Sequence, residues 1–411
     1  MISINKILYA LICLFALVNY YFTTEATFVL AFIAVLFSIW GRGFMKHHLE
    51  ILFLPILFII LGFIKSYENE PVYIFKDFYY FFNPIIIFSF GYVSAYYISI
   101  DKLLKTFVVL GVFLGIAYLL NHNWSAAKSV NALHEEEGVA SYLVIIALVI
   151  LLLKIIRKEQ IFSKFLTGFF ISILTLTCII AVSRTFLLIF FILMITGSGQ
   201  LKFEKFFVLK FLMLVLIFSV FTFFLVNIEV ADHSSFIGKL LYSLDEVTIS
   251  NYDDLGEINN NWRGFEAFMG WQQISKGSFL EWFVGQGFGR TTPIGIEIKL
   301  GDEYFTEIPF FHNGFITLIL KTGLIGLIAY LIFFIKMGIT NFRDKFDYDE
   351  NYILCKNIIP GLALTLILTT FIISGWLNKS TLAPVIFSLG YFISAKENIK
   401  DFYEEENIED N

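Results

Sequence analysis

The clearest indication of the fold is the stretch at residues 312–331, HNGFITLILKTGLIGLIAYL. After the polar pair His312-Asn313 it is almost entirely apolar, and the apolar run continues to residue 335. An α-helix needs about 20 predominantly apolar residues to cross the hydrocarbon core of a bilayer. The sequence therefore predicts a transmembrane helix that begins at residue 314, with His312 just outside it.

Comparable apolar runs recur along the whole chain. About twelve of them are long enough, or nearly so, to span a membrane as helices. They cover residues 7–22, 27–41, 50–65, 78–99, 103–120, 139–156, 162–182, 185–197, 206–228, 314–335, 357–374 and 381–395. We therefore predict an all-α integral membrane protein with about twelve transmembrane helices.

The composition agrees with this prediction. Of the 411 residues, 58% are hydrophobic and only 16% are charged, with a net charge of −6. These values exclude a soluble enzyme and a protein that binds nucleic acid. The three cysteines, Cys13, Cys178 and Cys355, stand singly, so neither a zinc site nor a disulfide framework is indicated.

The distribution of lysine and arginine predicts the orientation. Most of these residues fall in inner segments if both the N-terminus and the C-terminus are cytoplasmic. The predicted organisation has four parts. They are helices one to nine (1–228), a large loop on the outer face (229–313), helices ten to twelve (314–395) and an acidic cytoplasmic tail (396–411).

The outer loop contains an amphipathic segment. From Trp262 to Ser275 the apolar residues recur at helical spacing, and Arg263, Glu266 and Gln273 fall on the other face. This pattern is typical of a helix that lies on the membrane surface. Glu266 stands three residues after Arg263, so a plain surface ion pair between them is one interpretation.

Cations near the predicted outer surface are candidates for binding an anion. Arg184 lies between two apolar runs, where it either extends to the interface or binds a phosphate with its forked donors. Lys321 lies inside predicted helix ten, where a charge is costly unless it faces a water-filled cavity. The glycine-rich run 285–289 is either a flexible turn or a backbone cradle for phosphate.

The spacing that follows His312 is more informative than the histidine alone. A histidine at a loop–helix junction is often a simple interfacial residue, and the alternative is a general base. Nine residues separate Asn313 from Gly323, which Gly326 follows, and glycines at i and i+3 permit close packing of another helix. His312 would then lie about three turns above a tight helix crossing.

These motifs resemble the bacterial O-antigen polymerase and O-antigen ligase superfamily. The His-Asn-x9-Gly-x-x-Gly pattern from His312 matches in full, and Ser-Arg-Thr around Arg184 is similar to the family's outer-face arginine. Arg263 followed by the 285–289 turn resembles the family's large loop. One position departs, because many relatives carry an acidic residue where this chain has Lys321, which puts a carboxylate role there in doubt.

The resemblance implies a GT-C-like glycosyltransferase of the bacterial cytoplasmic (inner) membrane. It would be a polymerase that joins undecaprenyl-pyrophosphate-linked repeat units into O-antigen, capsule or exopolysaccharide. His312 would be the general base, and Arg184, Arg263 and Arg290 would bind the pyrophosphate, without a metal ion or cofactor. Asn313, Gly323 and Gly326 would support the site.

Two alternatives remain open from the sequence. An O-antigen ligase performs the same chemistry with lipid A-core as the acceptor. A transporter or flippase of lipid-linked oligosaccharide would show repeated halves or charged, broken helices at the bilayer midplane, and the sequence has no internal repeat. The expected partners are the lipid-linked glycans, the bilayer and a chain-length-regulating co-polymerase.

Overall fold

A computed structural model of the chain describes residues 4–42, 46–121, 140–181, 183–199, 258, 261–300, 303–377 and 380–409. The predicted ninth helix, 206–228, and the first part of the predicted outer loop, 229–257, lie outside the described residues.

Helices account for most of the described residues. In the N-terminal half they are α1 (Ile4–Tyr21), α2 (Thr24–Arg42), α3 (Lys46–Ile64), α4 (Pro71–Ser94), α5 (Ile100–Asn121), α6 (Tyr142–Ile156), α7 (Lys164–Ile180) and α8 (Arg184–Gly197). In the C-terminal half they are α9 (Trp262–Ser275), α10 (Phe279–Val284), α11 (Gly314–Arg343), α12 (Glu350–Ile373) and α13 (Ala383–Glu409). Short 3₁₀ turns occupy Ser66–Glu68 and Ser380–Leu382.

Within the described ranges, five segments are long and apolar enough to cross a membrane. They are Ile4–Tyr21, His47–Glu68, Ile100–Asn121, Gly314–Arg343 and Glu350–Ile373. Shorter apolar helices cover Thr24–Ile39, Tyr142–Ile156, Lys164–Ile180 and Thr185–Gly197. The chain is thus a mostly helical protein with several segments suited to a bilayer, as the apolar runs predict.

The all-α prediction needs one correction, because a β-hairpin precedes α11. Strand β1 (Thr292–Leu300) pairs antiparallel with β2 (Glu303–Ile308), and a register shift lies between Pro293 and Ile298. The isoleucines at 294, 296 and 298 alternate with other residues, which is the period of a strand. That local signal is short and lies in a long polar segment. The fold class was predicted from the long apolar runs outside that segment, so the hairpin was not predicted.

Two apolar clusters organise the described residues. The larger one lies among the long helices, where the ring of Trp376 packs on Phe333 and Phe88 at centroid distances of 5.8 Å and 6.3 Å. The smaller one joins α9, the hairpin and the start of α11 through buried Phe265, Ile308 and other residues. The smaller cluster fixes the position of the chain immediately before α11, because buried Phe311 belongs to it.

Helix α11 is interrupted at Gly323, whose backbone has φ 70° and ψ −174°. A Cβ there would lie 2.1 Å from the carbonyl oxygen of Phe283 in α10. The predicted close approach therefore exists, but its partner is the backbone of the short helix α10. A Cβ on Gly326 would lie 1.9 Å from Oγ1 of Thr322, so this glycine accommodates its own helix across the interruption.

Candidate functional site

His312 and Glu266 form the centre of the candidate site. The ring nitrogen Nδ1 of His312 lies 2.8 Å from Oε2 of Glu266, and the backbone nitrogen of His312 donates to the same oxygen at 3.1 Å. The Glu266 side chain is 5% exposed, whereas that of His312 is 37% exposed. A buried carboxylate thus holds a half-exposed imidazole, and an Nδ1–H donated to that carboxylate leaves Nε2 as the proton acceptor.

The backbone around His312 is held from the opposite side by Ser374. The Ser374 hydroxyl donates to the carbonyl oxygens of Phe311 at 3.0 Å and of His312 at 3.2 Å. Ser374 ends α12 in the left-handed conformation, with φ 65°. Contacts from α9 and from the end of α12 therefore fix the turn that carries the imidazole.

Asn313 has a structural role that its sequence position explains. Its side-chain oxygen accepts hydrogen bonds from the backbone nitrogens of Phe315 at 3.0 Å and Ile316 at 3.4 Å. Asn313 is therefore the N-cap of α11, which satisfies donors that a helix start leaves unpaired. The half-exposed ring of His312 thus directly precedes Asn313, the residue that begins α11.

The helix predicted from Trp262 to Ser275 forms with those bounds, and on its polar side Glu266 is buried while Arg263 and Gln273 are partly buried. Glu266 is buried against His312, and Gln273 lies against the chain that follows α10. These polar residues therefore make contacts within the protein, and the position of the helix at a membrane surface stays a prediction. Phe265, Ala267 and Ile274 of the same helix are buried as well, so α9 buries apolar and polar residues alike.

Arg263 and the start of α8 converge on Tyr142 at the start of α6. The Tyr142 hydroxyl hydrogen-bonds Thr185, and the same side chain interacts electrostatically with Arg263. The Arg184 backbone begins α8 next to Thr185, while the Arg184 side chain lies outside the described residues. The fold thus brings the chain at Arg184 and the helix turn of Arg263 to one tyrosine.

Arg290 lies in the turn that follows α10, and it contacts α9 through Gln273. With the Gln273 amide oxygen turned toward it, that oxygen accepts from Arg290 Nη2 at 2.8 Å and from Nε at 3.2 Å. Gln273 follows Glu266 by two helical turns, or about 10 Å. Arg290 therefore lies next to the far end of a row of α9 residues, Arg263, Glu266 and Gln273, that share one face.

The glycine-rich segment 285–289 is a tightly held turn. Gly285, Gly287 and Gly289 have φ values of 81°, 82° and 84°, a conformation that favours glycine. Hydrogen bonds within the protein occupy four of its backbone nitrogens: Gly285 to the Glu281 carbonyl (2.9 Å), Gln286 to the Leu320 carbonyl (2.7 Å), Phe288 to the Gly62 carbonyl (2.6 Å) and Gly289 to Oδ2 of Asp77 (2.6 Å). The alternative in which bare N–H groups of this turn cradle a phosphate is therefore contradicted for these groups, and the turn serves to place Arg290.

Lys321 has a buried partner that the sequence analysis missed. Its ammonium nitrogen lies 2.6 Å from Oδ2 of Asp77 and also donates to the backbone carbonyl of Arg290. Both side chains are almost fully buried. The cost of a charge at this depth is offset by a carboxylate from α4 and not by a water-filled cavity.

The sequence contains signals that Asp77 and Glu266 are buried acidic residues of the site. Asp77 precedes a strongly apolar run, and a buried ammonium at Lys321 requires an acidic partner. Glu266 stands between Phe265 and Ala267, so the apolar stripe of α9 nearly encloses it. Neither signal identifies its partner, since the chain segments that meet are far apart in sequence.

The arrangement offers a proton acceptor between two cationic regions. The imidazole of His312 is oriented by Glu266, with Arg263 one helical turn before that carboxylate and Arg290 two turns beyond it. Such a site can deprotonate a hydroxyl and stabilise an anionic leaving group. Among the described residues, no three His, Cys, Asp or Glu side chains are grouped as a metal ion would require.

Comparisons with models of protein families, with curated proteins and with solved structures found no match to this chain.

Proposed function

We propose that the protein is a polysaccharide polymerase of the bacterial cytoplasmic membrane. It would join undecaprenyl-pyrophosphate-linked repeat units into O-antigen, capsule or exopolysaccharide at the outer face. The proposal includes about twelve spans with both termini in the cytoplasm and the segment 229–313 outside. The apolar helices support the membrane part of this proposal, and the resemblance of the motifs supports the remainder.

The observation that carries the proposal is the contact between His312 and Glu266. In the proposed reaction His312 Nε2 takes the proton of an acceptor hydroxyl, and the oxygen attacks the anomeric carbon of the donor glycan. The carboxylate at 2.8 Å fixes the ring and stabilises the imidazolium that forms. A half-exposed ring on a rigid turn is suited to this role, because the acceptor must reach it from solvent.

The arginines would act on the leaving group. As the bond from the anomeric carbon to the pyrophosphate oxygen breaks, the lipid pyrophosphate takes the electron pair and gains negative charge. Arg263 precedes Glu266 by one turn of α9, Arg290 contacts Gln273 two turns beyond Glu266, and Arg184 begins α8. Guanidinium groups suit this task, since their donors match paired phosphate oxygens.

The direct test is an elongation assay with purified full-length protein and a lipid-linked repeat unit. His312→Ala is expected to abolish polymer while the protein still inserts and purifies normally. Lys276→Ala is the matched control, since Lys276 is exposed beyond the last turn of α9, and it should elongate normally. Elongation by His312→Ala near the wild-type rate would refute the assignment of the base.

Deletion of the gene separates the proposed polymerase from its alternatives. Loss of a polymerase leaves lipopolysaccharide core capped with a single repeat unit, or removes high-mass polymer in a capsule producer. Bare core with long polymer retained on the lipid carrier would identify a ligase. Repeat units trapped on the inner leaflet without capping would identify a flippase.

A further inference from the structure

A cavity of about 400 Å³ lies between the end of α6 and the start of α7, remote from the candidate site. Its polar wall consists of Lys154, Lys158, Glu159, Gln160 and Lys164. Its apolar wall includes Leu151, Ile155, Ile161, Phe162 and Ile171. A cavity lined by both lysines and apolar side chains matches a molecule with an anionic head and a hydrocarbon tail.

The charges of the cavity do not cancel. Lys154 and Glu159 form an ion pair with each other. In the described ranges, the ammonium groups of Lys158 and Lys164 have no carboxylate within ion-pair distance, and both side chains are exposed. Two positive charges thus remain at the mouth of the cavity, where they can attract a phosphate.

The surroundings of the cavity are apolar and exposed. Ile155, Phe165, Leu166 and Phe169 are large hydrophobic side chains with 40% or more of their surface exposed. On helices apolar enough for a bilayer, such side chains contact lipid tails. The lysines stand at the helix ends, which is the level of phospholipid headgroups if α6 and α7 cross the membrane.

Lys158 has a backbone conformation that lysine rarely adopts. It follows α6 with φ 59°, in the left-handed region where glycine is the usual residue. A lysine there costs about 1 kcal/mol or more relative to the right-handed conformation. The conformation closes the end of α6 with hydrogen bonds from the backbone nitrogens of Lys158 and Glu159, and it leaves the exposed Lys158 side chain in the lining of the cavity.

We propose that this cavity is a binding site for the headgroup of an anionic phospholipid. The phosphate would contact Lys158 and Lys164, and the first part of an acyl chain would lie along the apolar wall. The lysines belong to a segment predicted to be cytoplasmic, where anionic lipid attracts basic residues. This site is independent of the proposed glycosyltransferase activity.

Native mass spectrometry of the detergent-purified full-length protein tests the proposal, with phosphatidylglycerol and phosphatidylcholine of equal chain length as probes. Wild type should retain phosphatidylglycerol in preference to phosphatidylcholine. Lys158→Gln/Lys164→Gln should weaken phosphatidylglycerol binding about tenfold or more, at roughly 1 kcal/mol for each lysine. Lys336→Gln/Lys345→Gln removes two charges from other predicted inner positions and should leave the binding unchanged.

A second variant fills the cavity and keeps every charge. Gly168 lines the cavity, and a Cβ there would meet nothing within 4 Å, so Gly168→Leu adds bulk without a clash. It should abolish the preference for phosphatidylglycerol. Gly338→Leu on α11 is the matched control, because Gly338 is equally open and distant from the cavity, and it should bind like wild type.

Three results would overturn the proposal. One is equal retention of the two lipids by wild type, and another is an equal loss of binding in both lysine double variants. The third is displacement of phosphatidylglycerol by excess inorganic phosphate, which would identify a site for a free anion instead of a lipid.

Discussion

The ammonium nitrogen of Lys321 lies 2.6 Å from Oδ2 of Asp77, with 0% and 3% of the two side chains exposed. The same carboxylate oxygen accepts the backbone N–H of Gly289, and Lys321 also donates to the carbonyl of Arg290. One buried ion pair therefore connects α4, α11 and the turn that carries Arg290. The position of that arginine depends on a charge pair that contacts no solvent.

Removing one charge of this pair should lower the free energy of unfolding strongly, whereas removing both charges together should lower it much less. Asp77→Asn or Lys321→Met alone leaves one uncompensated buried charge, and we expect a loss of about 3–5 kcal/mol in unfolding free energy. The double variant Asp77→Asn/Lys321→Met should lose clearly less than the sum of the two. Chemical unfolding in detergent measures all three, and strictly additive losses would show that the two residues are not coupled.

Glu266→Gln should reduce elongation by one to two orders of magnitude through its effect on His312. The amide can still contact the ring but cannot stabilise an imidazolium, so kcat should fall while KM for the acceptor changes little. Glu297→Gln, on the exposed part of β1, serves as the control. If Glu266→Gln elongates like the control, Glu266 does not position a catalytic base.

Arg263→Lys and Arg290→Lys should each lose on the order of tenfold to a hundredfold in rate although the charge is kept. A lysine cannot make the paired contacts that a guanidinium makes with phosphate oxygens or, at position 290, with the Gln273 amide. Elongation rates with saturating donor measure the effect. Full activity of both lysine variants would remove the arginines from the leaving-group site.

Gly323→Ala should destabilise the protein by about 2 kcal/mol or more, because the backbone is left-handed and a Cβ would overlap the Phe283 carbonyl. Gly338→Ala provides the contrast on the same helix. Gly338 has open space around it, so alanine there should stabilise by about 0.5–1 kcal/mol. Thermal unfolding of the two variants should therefore shift in opposite directions.

The ion pair between Lys65 and Glu281 should make stability depend on acid pH. Its nitrogen and oxygen lie 2.9 Å apart, and the hydrogen bond from Lys65 holds the pKa of the Glu281 carboxyl below its ordinary value of 4.5. A lowered folded-state pKa adds stability that is present above the ordinary value and disappears as the pH falls through the lowered one.

Glu281→Gln isolates this charge, since glutamine can still cap Ser278 as Glu281 does. The unfolding midpoint of the variant should lie below that of wild type near pH 7. The difference should shrink as the pH falls below 4.5. A difference that stays constant across that range would mean that the ion pair contributes nothing.

Local patterns in the sequence predict most of the described helices. Long apolar runs and helical spacing are local properties, so the helix at Trp262–Ser275 has the predicted bounds, and the runs around 103–120 and 314–335 lie within helices. The sequence also indicates that Asn313 begins α11, because an asparagine directly before an apolar run is typical of a helix N-cap.

Which polar groups meet follows from the packing of the helices. Glu266 and Gln273 on α9 could equally have faced water, but they find partners at His312 and beside Arg290. The pairing of Asp77 with Lys321 joins helices far apart in the chain. A buried charge requires compensation but does not specify its source, so the packing of the helices selects the partner.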